Sequence, residues 1–212
     1  MKPETTLFWD VDTQRDFVLP DGRLYAPGAE KIVATLGAIT ALARRLNIRI
    51  AGDVDRHFPG DPELTRNGGP YPDHCMNATP GQRKIEQTAW VNAVDIENRP
   101  LSDAELDAAI AHRGDLVIEK QHVDVLRGNC NAPRLIPKLL RNCRDLVIYG
   151  VCTDVCVDFV VRATLGRGPK LHVVTDAIAA LDAERGKACL ESWRAASVEL
   201  LTFAQLKAAL ES

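Results

Sequence analysis

Residues 147–157 read VIYGVCTDVCV, and this stretch decides the fold because it joins a strand, a tight turn and the start of a helix. The apolar run at residues 145–150 predicts a buried strand. Apolar positions from Asp154 to Leu165 predict the helix, which Gly166 ends. A strand that leads directly into a helix is the repeating unit of parallel α/β sheets.

The same alternation of strand and helix extends along the whole chain. Strands are predicted at residues 6–11, 48–52, 116–118, 145–150, 171–175 and 199–202. Helices are predicted at residues 32–46, 103–112, 133–144, 154–165 and 183–196 and at the C-terminus. The order predicts one doubly wound, Rossmann-like α/β domain over residues 1–212, with a mostly parallel sheet and helices on both faces. Residues 58–88 are rich in Pro, Gly and Asp, and a loop that long is usually functional.

Composition excludes several classes of protein. With 46% hydrophobic and 26% charged residues, the chain can form a core without metal or disulfide staples. Its net charge of -3 offers no basic face, so we expect no nucleic-acid partner. No segment is apolar enough to span a bilayer, and the N-terminus lacks the pattern of a signal peptide, which predicts a cytoplasmic protein with no membrane partner. An even count of six cysteines permits disulfides, but this setting favours reduced thiols.

Ionisable and nucleophilic side chains follow four of the predicted strands. In doubly wound sheets, ligands bind in the crevice outside the carboxyl ends of the strands. The residues at these ends are Asp12, Asp53 and Asp55, Lys120, and Cys152 and Cys156. Four strands therefore deliver reactive groups to one edge, which predicts an active site there.

Cys156 is the predicted nucleophile. Thr153 or Asp154 can cap the helix, which places Cys156 in its first turn, where unpaired N–H groups and the helix dipole favour a thiolate. The same N–H groups can face an oxyanion. A buried structural cysteine is the alternative for this segment. Cys152 competes for the role, but it lies in the turn before the helix.

Asp12 and Lys120 are the predicted partners of the thiol. A carboxylate can accept the thiol proton, and a lysine can keep the carboxylate ionised and favour a thiolate. Taken singly, Asp12 could be a turn cap and Lys120 a surface lysine. Since no Cys–His pairing is evident in the sequence, the residues argue against a papain-like mechanism.

The long loop carries a possible metal site. Asp55, His57 and His74 supply one carboxylate and two imidazoles, a set that suits Zn²⁺, Fe²⁺ or Mn²⁺. Asp53 is an alternative carboxylate, and Cys75 is an alternative ligand. Histidines of a loop without any metal are the competing interpretation.

Several of these segments resemble motifs of one known family, the isochorismatase-like cysteine hydrolases, and within it the nicotinamidase/pyrazinamidase branch. The matching segments are VDTQRDF (11–17), DRH (55–57), PDHCMNATPG (72–81), IEK (118–120), GVCTDVCV (150–157) and VTDA (174–177). The resemblance implies that Cys156 attacks the substrate, that Asp12 is the acid and base, and that Lys120 completes the catalytic group. It also implies a cis peptide between Val151 and Cys152 and an oxyanion hole made by the N–H groups of Cys152 and Cys156.

The resemblance further implies a substrate, a metal and an assembly. Nicotinamide would be hydrolysed to nicotinate and ammonia in NAD salvage, by an enzyme that forms homo-oligomers. Asp55, His57 and His74 would bind the metal, zinc foremost, with iron or manganese as alternatives. Phe17 and Tyr71 are the expected contacts of the substrate ring.

The chain also departs from the motifs of this branch. Ala78 stands in place of a glycine, Arg56 in place of an apolar or aromatic residue, and residues 122–126 lack the aromatic side chains that relatives often place near the substrate. Two other functions therefore stay open. One is metal-independent hydrolysis of a different small amide or of a vinyl ether; the other is a non-catalytic binding protein of the same fold.

Overall fold

Seven strands pair into one sheet in the computed structural model, which describes residues 1–212. The strands are β1 (Thr6–Val11), β2 (Arg49–Asp55), β3 (Val94–Ile96), β4 (Leu116–Lys120), β5 (Asp145–Val151), β6 (Lys170–Ala179) and β7 (Glu199–Leu201). The helices are α1 (Arg15–Val18), α2 (Val33–Arg45), α3 (Asp103–Ala111), α4 (Val125–Gly128), α5 (Ala132–Leu139), α6 (Asp158–Thr164), α7 (Ala183–Ala195) and α8 (Phe203–Glu211). None of these helices is both long enough and apolar enough to cross a bilayer.

The strand order creates a crevice in the middle of the sheet. The order is β3-β4-β2-β1-β5-β6-β7, and every pair of neighbouring strands is parallel. From β1 the chain moves to β2 on one side, and from β5 it moves to β6 on the other. Since parallel crossovers are right-handed, opposite directions put the connecting helices on opposite faces. The predicted doubly wound α/β fold is confirmed, and its topological switch point lies between β1 and β5.

Burial on both faces explains the composition of the central strands. All six residues of β1 are buried, as are six of the seven residues of β5. Strands covered on both sides need continuous apolar runs, because side chains on either face meet helices. On α2, by contrast, the buried residues Leu36, Ile39, Leu42 and Ala43 follow helical spacing and cover one face.

Short or irregular elements account for the differences from the predicted boundaries. The sequence analysis did not predict β3, α1 or α4, which have only three or four residues each. The helix predicted at residues 133–144 ends at Leu139, and the chain then turns so that the Arg144 N–H bonds to the Thr5 carbonyl beside β1. The strand predicted at residues 171–175 continues to Ala179. Residues 58–88 contain only single 3-10 turns and isolated bridges, in agreement with the predicted loop.

Candidate active site

Three predicted catalytic side chains meet at the switch point. Asp12 directly follows β1, Lys120 ends β4, and Cys156 lies in the turn after β5. Lys120 Nζ is 2.8 Å from Asp12 Oδ2 and 3.7 Å from Cys156 Sγ. Cys156 is 3% exposed and the other two are fully buried. The structure therefore joins residues that are up to 144 positions apart in the chain (156 − 12).

The backbone at Asp12 helps to direct its side chain. Its φ of 46° lies in the left-handed region, which aspartate tolerates better than most residues. Its N–H donates to the Asp53 carbonyl at 3.1 Å, which anchors the chain as it leaves the sheet. The carboxylate is thereby held beside Lys120.

Burial dominates the electrostatics of this group. Burial raises the pKa of the Cys156 thiol well above its usual range, and the nearby Lys120 ammonium opposes this only in part. Burial thus opposes the preference for a thiolate that is expected at a helix start. Burial also raises the pKa of Asp12 well above its usual range, although Lys120 lowers it. For Lys120, burial alone would lower the pKa, but the charges of Asp12 and Asp55 outweigh it and raise the pKa.

The turn that carries Cys156 differs from a regular helix start. The Val151–Cys152 peptide is cis, and the N–H groups of Val155 and Val157 both donate to the Cys152 carbonyl, at 3.0 and 3.1 Å. These bonds form one wide, π-helical turn at residues 153–157, ahead of α6. Cys156 itself lies within this turn, before the first residue of α6.

The predicted capping role of Thr153 or Asp154 is wrong. No side chain caps the turn, because the Asp154 carboxylate instead accepts hydrogen bonds from the Leu181 and Asp182 N–H groups at 2.8 and 3.2 Å. Asp154 thus ties the segment after β6 to the nucleophile turn. This contact brings Leu181 into the wall of the pocket beside Cys156.

The three predicted metal ligands lie together. His57 Nε2 and His74 Nε2 are 3.7 and 3.4 Å from Asp55 Oδ2, and all three residues are buried. The other ring nitrogen of each histidine, Nδ1, already has a hydrogen-bond partner. His57 Nδ1 is 3.0 Å from Asp61 Oδ2, and His74 Nδ1 is 2.7 Å from the Pro72 carbonyl oxygen. Both Nε2 atoms therefore face the Asp55 carboxylate, the arrangement found when histidines bind a metal.

Glu63 is a fourth member of this group that the sequence analysis missed. Its buried Oε2 lies 3.6 Å from His57 Nε2 and has no hydrogen-bond partner. Its Oε1 accepts the Val123 N–H at 3.0 Å. No sequence pattern singles out Glu63, because it is one glutamate in a loop without periodicity, and only the folded loop brings it to His57.

The two alternative ligands lie elsewhere. Asp53 is fully buried but points to Trp9 and Lys120: its Oδ1 accepts the Trp9 indole N–H at 2.7 Å, and its Oδ2 is 3.7 Å from Lys120 Nζ. Burial raises the pKa of Asp53 to about 6, although Lys120 lowers it. The Cys75 N–H donates to Asp16 Oδ2 at 2.7 Å, and its Sγ lies 3.9 Å from the Gly81 carbonyl oxygen.

A narrow apolar pocket adjoins both groups. Its cavity volume is only about 10 Å³, and it is lined by Phe17, Leu24, Asp55, Tyr71, His74, Val123, Cys152, Val155, Cys156 and Leu181. The ring centroids of Phe17 and Tyr71, both predicted substrate contacts, lie 5.3 and 6.0 Å from that of His74 in edge-to-face geometry. The pocket thus connects the thiol to the histidine cluster and presents mainly apolar surface to a small ligand.

The departures from the motifs are accommodated near this pocket. Ala78 has a φ of 62°, so it adopts the left-handed conformation suited to the glycine that it replaces. Arg56 lies outside the pocket, where its guanidinium donates to Glu119 at 2.7 Å and to Asn77 at 2.9 Å. In residues 122–126, Val123 contributes an aliphatic part of the pocket wall.

Comparison with known proteins identifies the family. The family model described as the isochorismatase domain matches residues 7–205, so the chain belongs to the isochorismatase family. It is a hydrolase of the isochorismatase type.

Its relatives include amidases of nicotinamide and pyrazinamide. The nicotinamidase/pyrazinamidase of Mycobacterium tuberculosis is 25% identical over 196 residues, which cover 90% of this chain and 95% of the relative. The structure of the pyrazinamidase of Pyrococcus horikoshii in complex with zinc has a TM-score of 0.72, with 21% identity, and covers 93% of this chain and 99% of that one. The structure of PnC1 from L. infantum in complex with nicotinate has a TM-score of 0.73, with 21% identity, and covers 95% and 94%. The resemblance inferred from the motifs is confirmed.

Proposed function

We propose that this protein hydrolyses a small amide through Cys156, with nicotinamide to nicotinate and ammonia as the leading reaction. The observation that carries the proposal is the buried contact of Lys120 with both Asp12 and Cys156, directly beside the histidine cluster. The nicotinamidase relatives support the choice of substrate. The same proposal includes a role in NAD salvage, in the cytoplasm and as a homo-oligomer.

The first half of the reaction forms a thioester. Asp12 accepts the thiol proton as Cys156 sulfur attacks the amide carbonyl carbon. The C–N bond then breaks, and Asp12 passes the proton to the leaving nitrogen, which departs as ammonia. Lys120 holds the Asp12 carboxylate and the developing sulfur anion, because its ammonium reaches both atoms.

Water completes the reaction in the second half. Asp12 takes a proton from the water that attacks the thioester carbonyl, and the C–S bond breaks. The proton returns to the Cys156 sulfur, and the product leaves as a carboxylic acid that ionises in solution. The N–H groups of Cys152 and Cys156 form the proposed oxyanion hole in both halves, and loss of such a donor lowers turnover by about 10²- to 10³-fold.

The residues of the histidine cluster fit a divalent metal ion. Asp55 Oδ2, His57 Nε2 and Glu63 Oε2 are buried without hydrogen-bond partners, a costly state that a cation would relieve. We propose that Asp55, His57 and His74 hold the ion, with Glu63 beside them. Zinc is the leading ion, in view of the donor types, with iron or manganese as alternatives. A bound metal would supply a Lewis acid for a ring nitrogen of the substrate, and Phe17 and Tyr71 would contact the substrate ring.

A second candidate reaction retains the thiol and changes the substrate. Val123 and Leu181 give one side of the pocket an aliphatic surface. This surface favours a different small amide, or a vinyl ether, that needs no metal to orient it. Substrate profiling with chelated protein distinguishes the two reactions, since only the nicotinamide reaction requires the ion.

Ammonia release from nicotinamide tests the leading proposal. Wild type, Cys156→Ala and the exposed-thiol control Cys130→Ala are assayed with and without a chelator. We expect release by wild type and by Cys130→Ala, loss in Cys156→Ala, and sensitivity to the chelator. Full activity of Cys156→Ala would reject the mechanism. If folded wild-type protein supplied with zinc releases no ammonia from nicotinamide, nicotinamide is rejected as the substrate.

A further inference from the structure

Asp53 is a buried carboxylate for which neither the proposed reaction nor the metal group assigns a role. Its side chain is fully enclosed on β2, and its Oδ2 atom has no hydrogen-bond partner. The other oxygen is fixed by the Trp9 indole N–H at 2.7 Å, so the carboxylate cannot rotate freely. A buried carboxylate oxygen without a partner costs stability, which points to a function for its position.

That position faces the Lys120 ammonium. An ammonium has three N–H donors, and two of them serve the carboxylates of Asp12 and Asp55. Cys156 Sγ and Asp53 Oδ2 both lie 3.7 Å from Nζ. Four acceptor atoms thus surround the three N–H donors of Lys120, and Asp53 Oδ2 is the acceptor that receives no hydrogen bond.

We propose that Asp53, anchored by Trp9, is a positioning residue that keeps Lys120 in place during turnover; this inference rests on the function proposed above. When Asp12 accepts the thiol proton, it loses its charge and attracts the ammonium less strongly. Asp53 then takes up the N–H that Asp12 releases. Lys120 therefore stays beside the sulfur for both halves of the reaction.

Two variants separate the charge of Asp53 from its anchoring. Asp53→Asn retains a carbonyl oxygen for the Trp9 N–H and removes the charge, and Trp9→Phe removes the anchor alone. Asp115→Asn is the matched control, because Asp115 is also a buried aspartate with a cationic partner, Arg44, but lies at the opposite end of β4. Each variant is measured by steady-state kinetics with nicotinamide and by ¹H–¹⁵N NMR of the Lys120 ammonium in ¹⁵N-lysine-labelled protein.

We expect Asp53→Asn to lower kcat by about tenfold to a hundredfold with little change in KM, since small losses of alignment have effects of that size. Trp9→Phe should show a weaker form of the same loss, and Asp115→Asn none. The Lys120 ammonium resonance should shift or exchange faster with solvent in the first two variants only.

The outcomes distinguish this inference from the proposed function. An unchanged kcat in both Asp53→Asn and Trp9→Phe would overturn the positioning role, even if wild type hydrolyses nicotinamide. If wild type does not hydrolyse nicotinamide, the proposed function fails and the NMR measurement decides. An altered Lys120 resonance then supports the positioning of Lys120 by Asp53, and an unaltered one rejects it.

Discussion

Replacement of Lys120 by methionine tests the importance of the buried ion pairs for stability. Lys120 is fully buried and touches two buried carboxylates, Asp12 and Asp55. At the 2.8 Å separation from Asp12, the attraction is about 6 kcal/mol for an effective dielectric of about 20. Burial of the ions costs several kcal/mol in return, and removal of one partner of a buried pair costs about 3–5 kcal/mol. We expect Lys120→Met to lower the free energy of unfolding by that amount at neutral pH.

Urea denaturation of wild type and of two lysine variants measures the effect. Lys138→Met is the control, since Lys138 also pairs with two carboxylates, Asp103 and Asp107, but at the surface. Solvent screening makes such pairs weak, so the control should resemble wild type. The loss in Lys120→Met should shrink as the pH falls, because the carboxylates left behind can bind protons. A loss no larger than that of Lys138→Met at neutral pH would refute the reasoning.

Three further predictions concern the base, the sheet and the metal group. Asp12 must be ionised to accept a proton, and burial raises its pKa. As the pH is lowered, kcat/KM should therefore begin to fall at a pH well above about 4, the usual pKa of an aspartate. A pH profile that stays flat down to about 4 would contradict the assignment of Asp12 as the base. Gly150→Ala would place a Cβ 2.0 Å from the Val11 carbonyl oxygen, at a φ of 120°. It should therefore lower the free energy of unfolding, measured with heat or urea, by about 3 kcal/mol or more. Gly60→Ala is the control and should lower it little, because no atom lies near the added Cβ. Glu63→Gln should weaken zinc binding in titration calorimetry by about tenfold or more, and equal affinity would remove Glu63 from the group.

The fold could be predicted because local patterns and topology agree. Continuous apolar strands such as β1 and β5 indicate a sheet covered on both faces, and the alternation with helices then requires parallel crossovers. The order of the strands at the sheet edge could not be predicted in the same way. Strand β3 has three residues and pairs only with β4, so its position depends on a tertiary contact rather than on a local pattern.

The catalytic residues were predictable because they occupy the ends of predicted strands, and the metal group was predictable in part, since the sequence also singles out His57 and His74 of the long loop. Asp12, Lys120 and Cys156 follow strands, so the rule for doubly wound sheets places them together. Glu63 belongs to a loop whose path is set by tertiary contacts, such as the bond from the Tyr71 N–H to the Glu63 carbonyl. The role of Asp53 was equally hidden, since its partner Trp9 is an ordinary apolar strand residue until the two strands pair.

The raised pKa of the Cys156 thiol bears on how the proposed reaction proceeds. In water, transfer of a proton from cysteine to aspartate is uphill by about 4.6 pKa units, or about 6 kcal/mol. Burial of Asp12 narrows this gap, but burial of Cys156 widens it again, and Lys120 stabilises both anions rather than one. For the proposed reaction we therefore expect the proton to leave the sulfur as the C–S bond forms. In the proposed reaction, the reactivity of Cys156 then depends on a carbonyl held against the turn at residues 153–157, beside the apolar pocket that adjoins the sulfur.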